Sequence, residues 1–394
     1  MSENSGSNSE KRGFVAKRIA DLPFSGIRKY YDVASEIEGA ISLGVGEPDF
    51  QTPWNIREEA IYRLEQGSTT YTSNAGLPQL RKEISGYIGK YGMNYDPKTQ
   101  VLVTIGVSEA IDIAMRAILE PGDEVLIMES CYVSYKPCVV MAGGTPVVVA
   151  PRPENDFRIQ PEEIAAKVTP RTKALIMAYP NNPTGAIMER HDLEKIAGVL
   201  RELDILVITD EVYSELTYGT EHVSLASLPG MYEKTLVLNG FSKAFAMTGW
   251  RLGYACGPAE VISAMTKIHQ YVAMCAPTIS QYAGIEALRG SHGSVIKMRG
   301  EYDARRRVML HGFAEMGLPC FEPRGAFYTF PSIKKTGLTS EQFCDKLLRS
   351  EKLAVVPGSA FGESGEGFVR CSYAYSIESL KEALRRMKAF LEKI

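Results

Sequence analysis

The sequence predicts an α/β protein: a large three-layer α/β/α domain around a mostly parallel mixed sheet, beside a smaller α+β domain. Three observations predict it. From residue 101 onward, short β-branched runs are separated by longer helical segments. Those runs are apolar without strict alternation, as strands covered on both faces are. Beyond residue 293 the order changes to a long helical segment followed by short strands and further helices. With 394 residues, 45% of them hydrophobic, the chain can bury two cores.

Residues 1–15 are rich in Ser, Asn, Glu and Lys and read as a flexible tail. They lack the apolar stretch of a signal peptide, so a cytoplasmic location is expected. Residues 16–52 carry no self-contained domain pattern and are expected to form an N-terminal arm and part of the small domain, with Ser42 to Asp49 a Gly- and Pro-rich loop. The large domain is assigned to 53–292. Its spacing predicts helices from Pro53 to Glu65, Leu77 to Tyr91, Glu109 to Leu119 and His191 to Glu202. Strands are expected at Val101–Ile105, Val125–Met128, Pro146–Val149, Ala174–Ala178, Ile205–Thr209 and Leu236–Leu238. Within 293–394, helices are expected at Val295–Met316, Ser340–Ser350 and Ile377–Leu391, with strand segments at Ala326–Phe330, Leu353–Val356 and Gly367–Ala374. Loops at the carboxyl ends of the large-domain strands are where such a sheet places its site.

Composition excludes several classes. A net charge of -3 provides no broad cationic field, so neither nucleic acid nor an anionic membrane is an expected partner. No uncharged apolar run reaches the length of a membrane span. The seven cysteines form no CxxC pair and read as free thiols. The five histidines include no HExxH, and no metal site is expected.

The chemistry is concentrated after the strand at Leu236. In Gly240-Phe-Ser242-Lys243-Ala-Phe245, a lone lysine leaves the core between two phenylalanines. Partial desolvation disfavours its ammonium form and frees the amine to react with a carbonyl. Arg251, eight positions on, offers a planar fork for phosphate oxygens. Gly106-Val107-Ser108 lies between a strand and a helix, so its amides face outward at a positive helix end and Ser108 adds a hydroxyl; a plain helix cap is the simpler alternative. Asp210 and Tyr213 follow the strand from Ile205, where the carboxylate can pair with a protonated ring nitrogen and the phenol can donate to a ring oxygen. Asn182, in the proline-constrained turn Tyr179 to Gly185, is a further donor, and Tyr132 offers a face for stacking.

Taken with Gly46-Glu-Pro-Asp-Phe50, Tyr71, Met247-Thr-Gly-Trp-Arg251, Gly325-Ala-Phe-Tyr328 and Arg370-Cys-Ser-Tyr373, these motifs make the chain resemble a fold-type I pyridoxal-phosphate enzyme of the class I/II aminotransferases, aspartate/aromatic subgroup. The resemblance runs over nearly the whole chain. It implies pyridoxal 5'-phosphate as cofactor, joined to Lys243 as a Schiff base, with Asp210 at the pyridine nitrogen and Asn182 and Tyr213 at the ring oxygen. It places the phosphate against Gly106, Val107, Ser108 and Arg251, beside Ser242 in the same cofactor site, with Tyr71 reaching it from the other subunit of a homodimer. Tyr132 would lie against the ring. Arg370, otherwise an ordinary strand arginine, would clamp the substrate α-carboxylate with help from the Gly46 backbone and Asn182.

The implied reaction moves an amino group from an L-amino acid to a 2-oxo acid such as 2-oxoglutarate, with Lys243 carrying the proton between carbon atoms. Two positions depart from the pattern: Gly240 stands where many relatives have serine, and Ser108 where some bacterial aspartate aminotransferases have lysine. The motifs Phe24 to Tyr31 and Leu43 to Gly46 are closer to aromatic or broad-range members, so the donor is expected to be aromatic, aspartate or broad-range. A β-eliminating carbon–sulfur lyase shares most of these residues and remains an alternative, as does a regulator that binds the cofactor without turnover.

Overall fold

The computed structural model describes residues 14–24, 26 and 36–394. The tail up to residue 13 and most of the Phe24-to-Tyr31 motif lie outside the described residues. Strand β1 (Ile41–Ser42) precedes the main sheet, which is formed by β2 (Val101–Thr104), β3 (Glu124–Met128), β4 (Thr145–Val149), β5 (Thr172–Ala178), β6 (Leu206–Asp210), β7 (Thr235–Gly240) and β8 (Gly253–Cys256). Their spatial order is β2-β8-β7-β6-β5-β3-β4. Neighbours from β4 to β7 pair in parallel, whereas β8 runs antiparallel to both β7 and β2. The sheet is therefore mixed and mostly parallel.

Alternate side chains explain why both faces are covered. Along β2, Val101 and Val103 pack in a core with Ile84 and Ala283, while Leu102 joins a different core with Ala110 and Ala114. The helices Trp54–Glu65, Pro78–Gly89 and Thr278–Gly290 supply the first layer; Gly106–Ile118 and Arg190–Arg201 contribute to the second. This is the three-layer α/β/α arrangement.

A third core gathers Leu43, Met309, Phe313, Phe343, Leu347, Leu380 and Met387 around short strands. There β1 pairs in parallel with β10 (Leu353–Ala354), and β9 (Tyr328–Thr329), β11 (Val356–Pro357) and β12 (Val369–Ser372) form an antiparallel sheet with β12 in the middle. Helices His292–Glu315, Ser340–Glu351 and Ile377–Leu391 cover it.

The differences from sequence expectation are local. The helix expected from Glu109 starts at Gly106, because Gly106 takes φ 71° and turns the chain directly from strand into helix. The segment Leu353–Val356 divides into two strands that serve different sheets. Helices Ala259–Val272 and Thr278–Gly290 and the antiparallel β8 were not anticipated. Among the described residues, no helix is long and apolar enough to cross a membrane.

Candidate active site

The carboxyl end of β7 delivers Lys243 into a cavity of about 300 Å³ at the carboxyl ends of the central parallel strands. Its Nζ donates to Gly46 O at 2.5 Å and stands 5.7 Å from the ring centres of Tyr213 and Phe327. Burial pushes its pKa down to about 8; the Glu47 carboxylate opposes this and the Arg370 guanidinium adds to it. The loop carrying Gly46 is tied down at two points that follow the glycine. Arg305 Nη1 donates to Asp49 Oδ1 at 2.7 Å, and Thr52 Oγ1 donates to Ala246 O at 2.6 Å, just beyond the lysine.

Asp210 closes β6, and the register that pairs it with Leu238 on β7 sets it beside the lysine's strand. Its carboxylate is buried, accepting from Tyr135 Oη at 2.8 Å and from Val212 N at 3.1 Å. Burial raises its pKa to about 6, and those two donors hold it from rising further. Tyr213, one turn on, bonds its hydroxyl to that of Tyr328 at 2.7 Å. Tyr135 is a site residue the sequence reading missed: it lies three positions after Tyr132 in an apolar helix and looks like ordinary core. The signal that could have found it was Asp210 itself, a carboxylate on a buried strand end that required a donor.

At the start of helix Gly106–Ile118, three residues form the wall facing Arg251. A Cβ built on Gly106 would lie 2.9 Å from Arg251 Nη2, so only glycine lets the guanidinium approach this turn. From behind, β8 presses Gly253 against it, where a Cβ would lie 2.6 Å from Gly106 C and Val107 N. Gly240, where many relatives have serine, also faces Gly253 but less tightly: a Cβ there would meet Gly253 Cα at 3.1 Å. Glu109, in the first helical turn, accepts from Ile105 N at 2.5 Å and bonds His269 Nδ1 at 2.8 Å, pinning the turn to helix Ala259–Val272.

Arg370 lies fully buried in the middle strand β12. Its Nη1 donates to Asn182 Oδ1 at 2.9 Å and Nη2 donates to Gly44 O. The guanidinium carbon lies 4.6 Å from the Tyr328 ring centre and 4.8 Å from that of Phe361. Among the described residues Nε has no partner, so the cation keeps unspent donor capacity despite its burial.

The cavity thus brings together Lys243, Asp210, Tyr213, Asn182, Arg251 and Arg370, with Gly46, Val107, Ser108, Tyr132 and Ser242 also lining it. Gly106 sits behind the lining. Tyr71 is outside it and 79% exposed. One reactive amine, one buried carboxylate, a helix N-terminus with an arginine, and a second buried cation fit a phosphorylated pyridine aldehyde together with a carboxylate substrate.

Comparison with known proteins agrees. A family model described as aminotransferase class I and II matches residues 38–387. The chain is 47% identical to aromatic-amino-acid aminotransferase 2 of Thermococcus litoralis, over 96% of this chain and 98% of that one. It is 48% identical to an aspartate aminotransferase of Pyrococcus abyssi, over 93% and 95%. The solved structure of Pyrococcus protein-A1 superposes with a TM-score of 0.94 at 46% identity, covering 95% of this chain and 98% of that chain.

Proposed function

The chain belongs to the class I and II aminotransferases, a pyridoxal 5'-phosphate-dependent enzyme family, and from that premise we propose that it transfers amino groups from an aromatic or broad-range L-amino acid to 2-oxoglutarate. The observation that carries this reading is the convergence of Lys243, Asp210 and Arg370 on one cavity.

When bound, the cofactor supplies an aldehyde that condenses with amines and a ring that draws electrons from the substrate α-carbon. The residues do the rest. Asp210 would hold the ring nitrogen protonated, and Asn182 and Tyr213 would donate to the ring oxygen. Ser108, the amides at Gly106 and Val107, and Arg251 would hold the phosphate, with Ser242 alongside, and Tyr132 would cover the ring. Arg370, assisted by Asn182 and the Gly46 backbone, fixes the α-carboxylate. Lys243 Nζ would take the proton from the α-carbon and give it back across the substrate nitrogen, and its depressed pKa keeps a useful fraction of free amine near neutral pH.

The donor preference is supported by charge. The cations lining the cavity are Lys243, Arg251 and Arg370, and each already has a role; among the described residues none is left for a side-chain carboxylate. Ser108 stands where some aspartate-specific relatives place a lysine. A kinetic panel of aspartate, alanine, phenylalanine, tyrosine, methionine and lysine tests the reading. Aromatic donors should exceed aspartate in kcat/KM by at least roughly tenfold, and a preference for aspartate would overturn it.

The same reading includes a homodimer with Tyr71 given across the boundary to the partner's phosphate site. Its support is an exposed apolar surface: besides Tyr71, the rings of Trp54, Tyr62 and Tyr271 are 58%, 49% and 86% exposed.

A further inference from the structure

Three consecutive residues after β3 are tied to a segment more than two hundred positions later. Glu129, 2% exposed, accepts from Ser364 N at 3.0 Å and from Lys136 Nζ. Ser130 Oγ lies 3.3 Å from Ser364 Oγ, and Cys131 N donates to Phe361 O at 3.2 Å. Between Phe361 and Ser364, Gly362 takes φ 122°, and a Cβ there would overlap the Glu129 carboxylate. The glutamate therefore occupies the space a side chain at 362 would need.

Both ends of this tie lead into the active site. Tyr132, which lines the cavity, follows directly at one end. At the other, Phe361 packs against the Arg370 guanidinium at 4.8 Å. A second route runs from Ser130 O, which accepts from Asn181 Nδ2 at 3.2 Å, to the adjacent Asn182, the acceptor for Arg370 Nη1. The placement of a fixed cation sets how well it grips an anion, and its grip weakens when the groups that orient it are loosened.

We propose that Glu129 is a positioning residue: by fastening the Phe361–Ser364 segment to the start of the Tyr132 loop, it holds the Arg370 guanidinium in the orientation that grips a substrate carboxylate. The proposal rests on the reading of Arg370 as the carboxylate clamp. Glu129 does not line the cavity, so its effect is on carboxylate affinity and not on the proton-transfer step.

The test uses cofactor-loaded Glu129→Ala and Glu129→Gln, with Arg370→Lys in parallel. Glu129→Ala removes the acceptor for the Ser364 amide but leaves Lys136, whose side chain is 36% exposed, free to reach solvent. It should raise KM for both the amino acid and the 2-oxo acid roughly tenfold, with kcat changed less than about twofold and the cofactor absorption band retained. Glu129→Gln keeps an acceptor for that amide and should restore most of the affinity. A KM within about twofold of the parent in Glu129→Ala, with or without a fall in melting temperature, overturns the proposal and leaves Glu129 a purely structural role. If Arg370→Lys raises KM and Glu129→Ala does not, the coupling alone is lost. If neither raises KM, the clamp reading itself fails and the proposal falls with it.

Discussion

Asp210 and Lys243 are pushed in opposite directions by the same burial: the carboxyl is raised to about 6 and the amine lowered to about 8. Each shift disfavours charge, and each is partly corrected by a neighbour. Tyr135 donates to the ionised form of Asp210, so its loss should raise the carboxyl pKa further and reduce the ionised fraction in acid. Tyr135→Phe is therefore expected to lower cofactor affinity several-fold at about pH 6 and much less at about pH 8, where Asp210 is ionised either way. Cofactor titration at the two pH values checks it; an equal loss at both contradicts it. For Lys243 only the neutral amine is nucleophilic. The rate at which the cofactor-free chain captures pyridoxal phosphate should climb with pH and level off above about 8. A rate still climbing at about pH 10, as for an unperturbed lysine, contradicts the assignment. The candidate site residues Lys243, Arg251 and Asp210, which share the cavity, stood out in the sequence because they sit near strand ends in compact motifs. Tyr135 was not: nothing in a tyrosine flanked by apolar residues reveals that its hydroxyl points at a carboxylate 75 positions away.

At the scale of elements, the proposed phosphate wall depends on a strand that approaches it from behind. Gly253 opens β8 in contact with the Gly106–Val107 backbone. A methyl group at Gly253 has nowhere to go except into that turn. Gly253→Ala should displace the turn and weaken cofactor binding roughly ten- to hundredfold, measured as the dissociation constant for pyridoxal phosphate and as weakened competition by inorganic phosphate. Unchanged affinity for both would show that the turn is held by the helix alone. The parallel strands were readable because continuous apolar runs flanked by helices have few other solutions. Strand β8 was hidden within a segment read for its lysine and arginine, and its antiparallel pairing depends on partners far away in sequence. The helices Ala259–Val272 and Thr278–Gly290 follow it with mixed surfaces, since each packs against other helices as well as the sheet.

For the whole molecule, the fold class was recoverable from sequence because the order of strand and helix signals constrains the layers. How residues 41–43 join the core around Phe313 and Phe343 depended on a pairing of β1 with β10 that two residues cannot announce. We propose the boundaries 53–292 and 293–394 for the two domains, with 16–52 as the arm. Assembly is a separate proposal with its own test. If Tyr71 acts across a homodimer, Lys243→Ala and Tyr71→Ala should each be nearly inactive alone. Refolded as an equal mixture they should regain about a quarter of full activity, because half the dimers are hybrids carrying one intact site of two. No recovery above the sum of the separate variants would place Tyr71 outside the partner's site. The central claim, that one cavity performs amino transfer, is tested most directly by stoichiometry with tyrosine and 2-oxoglutarate. Each equivalent of tyrosine consumed should yield one of its 2-oxo acid and one of glutamate, with both lost in Lys243→Ala. Release of ammonia without matching glutamate would contradict it.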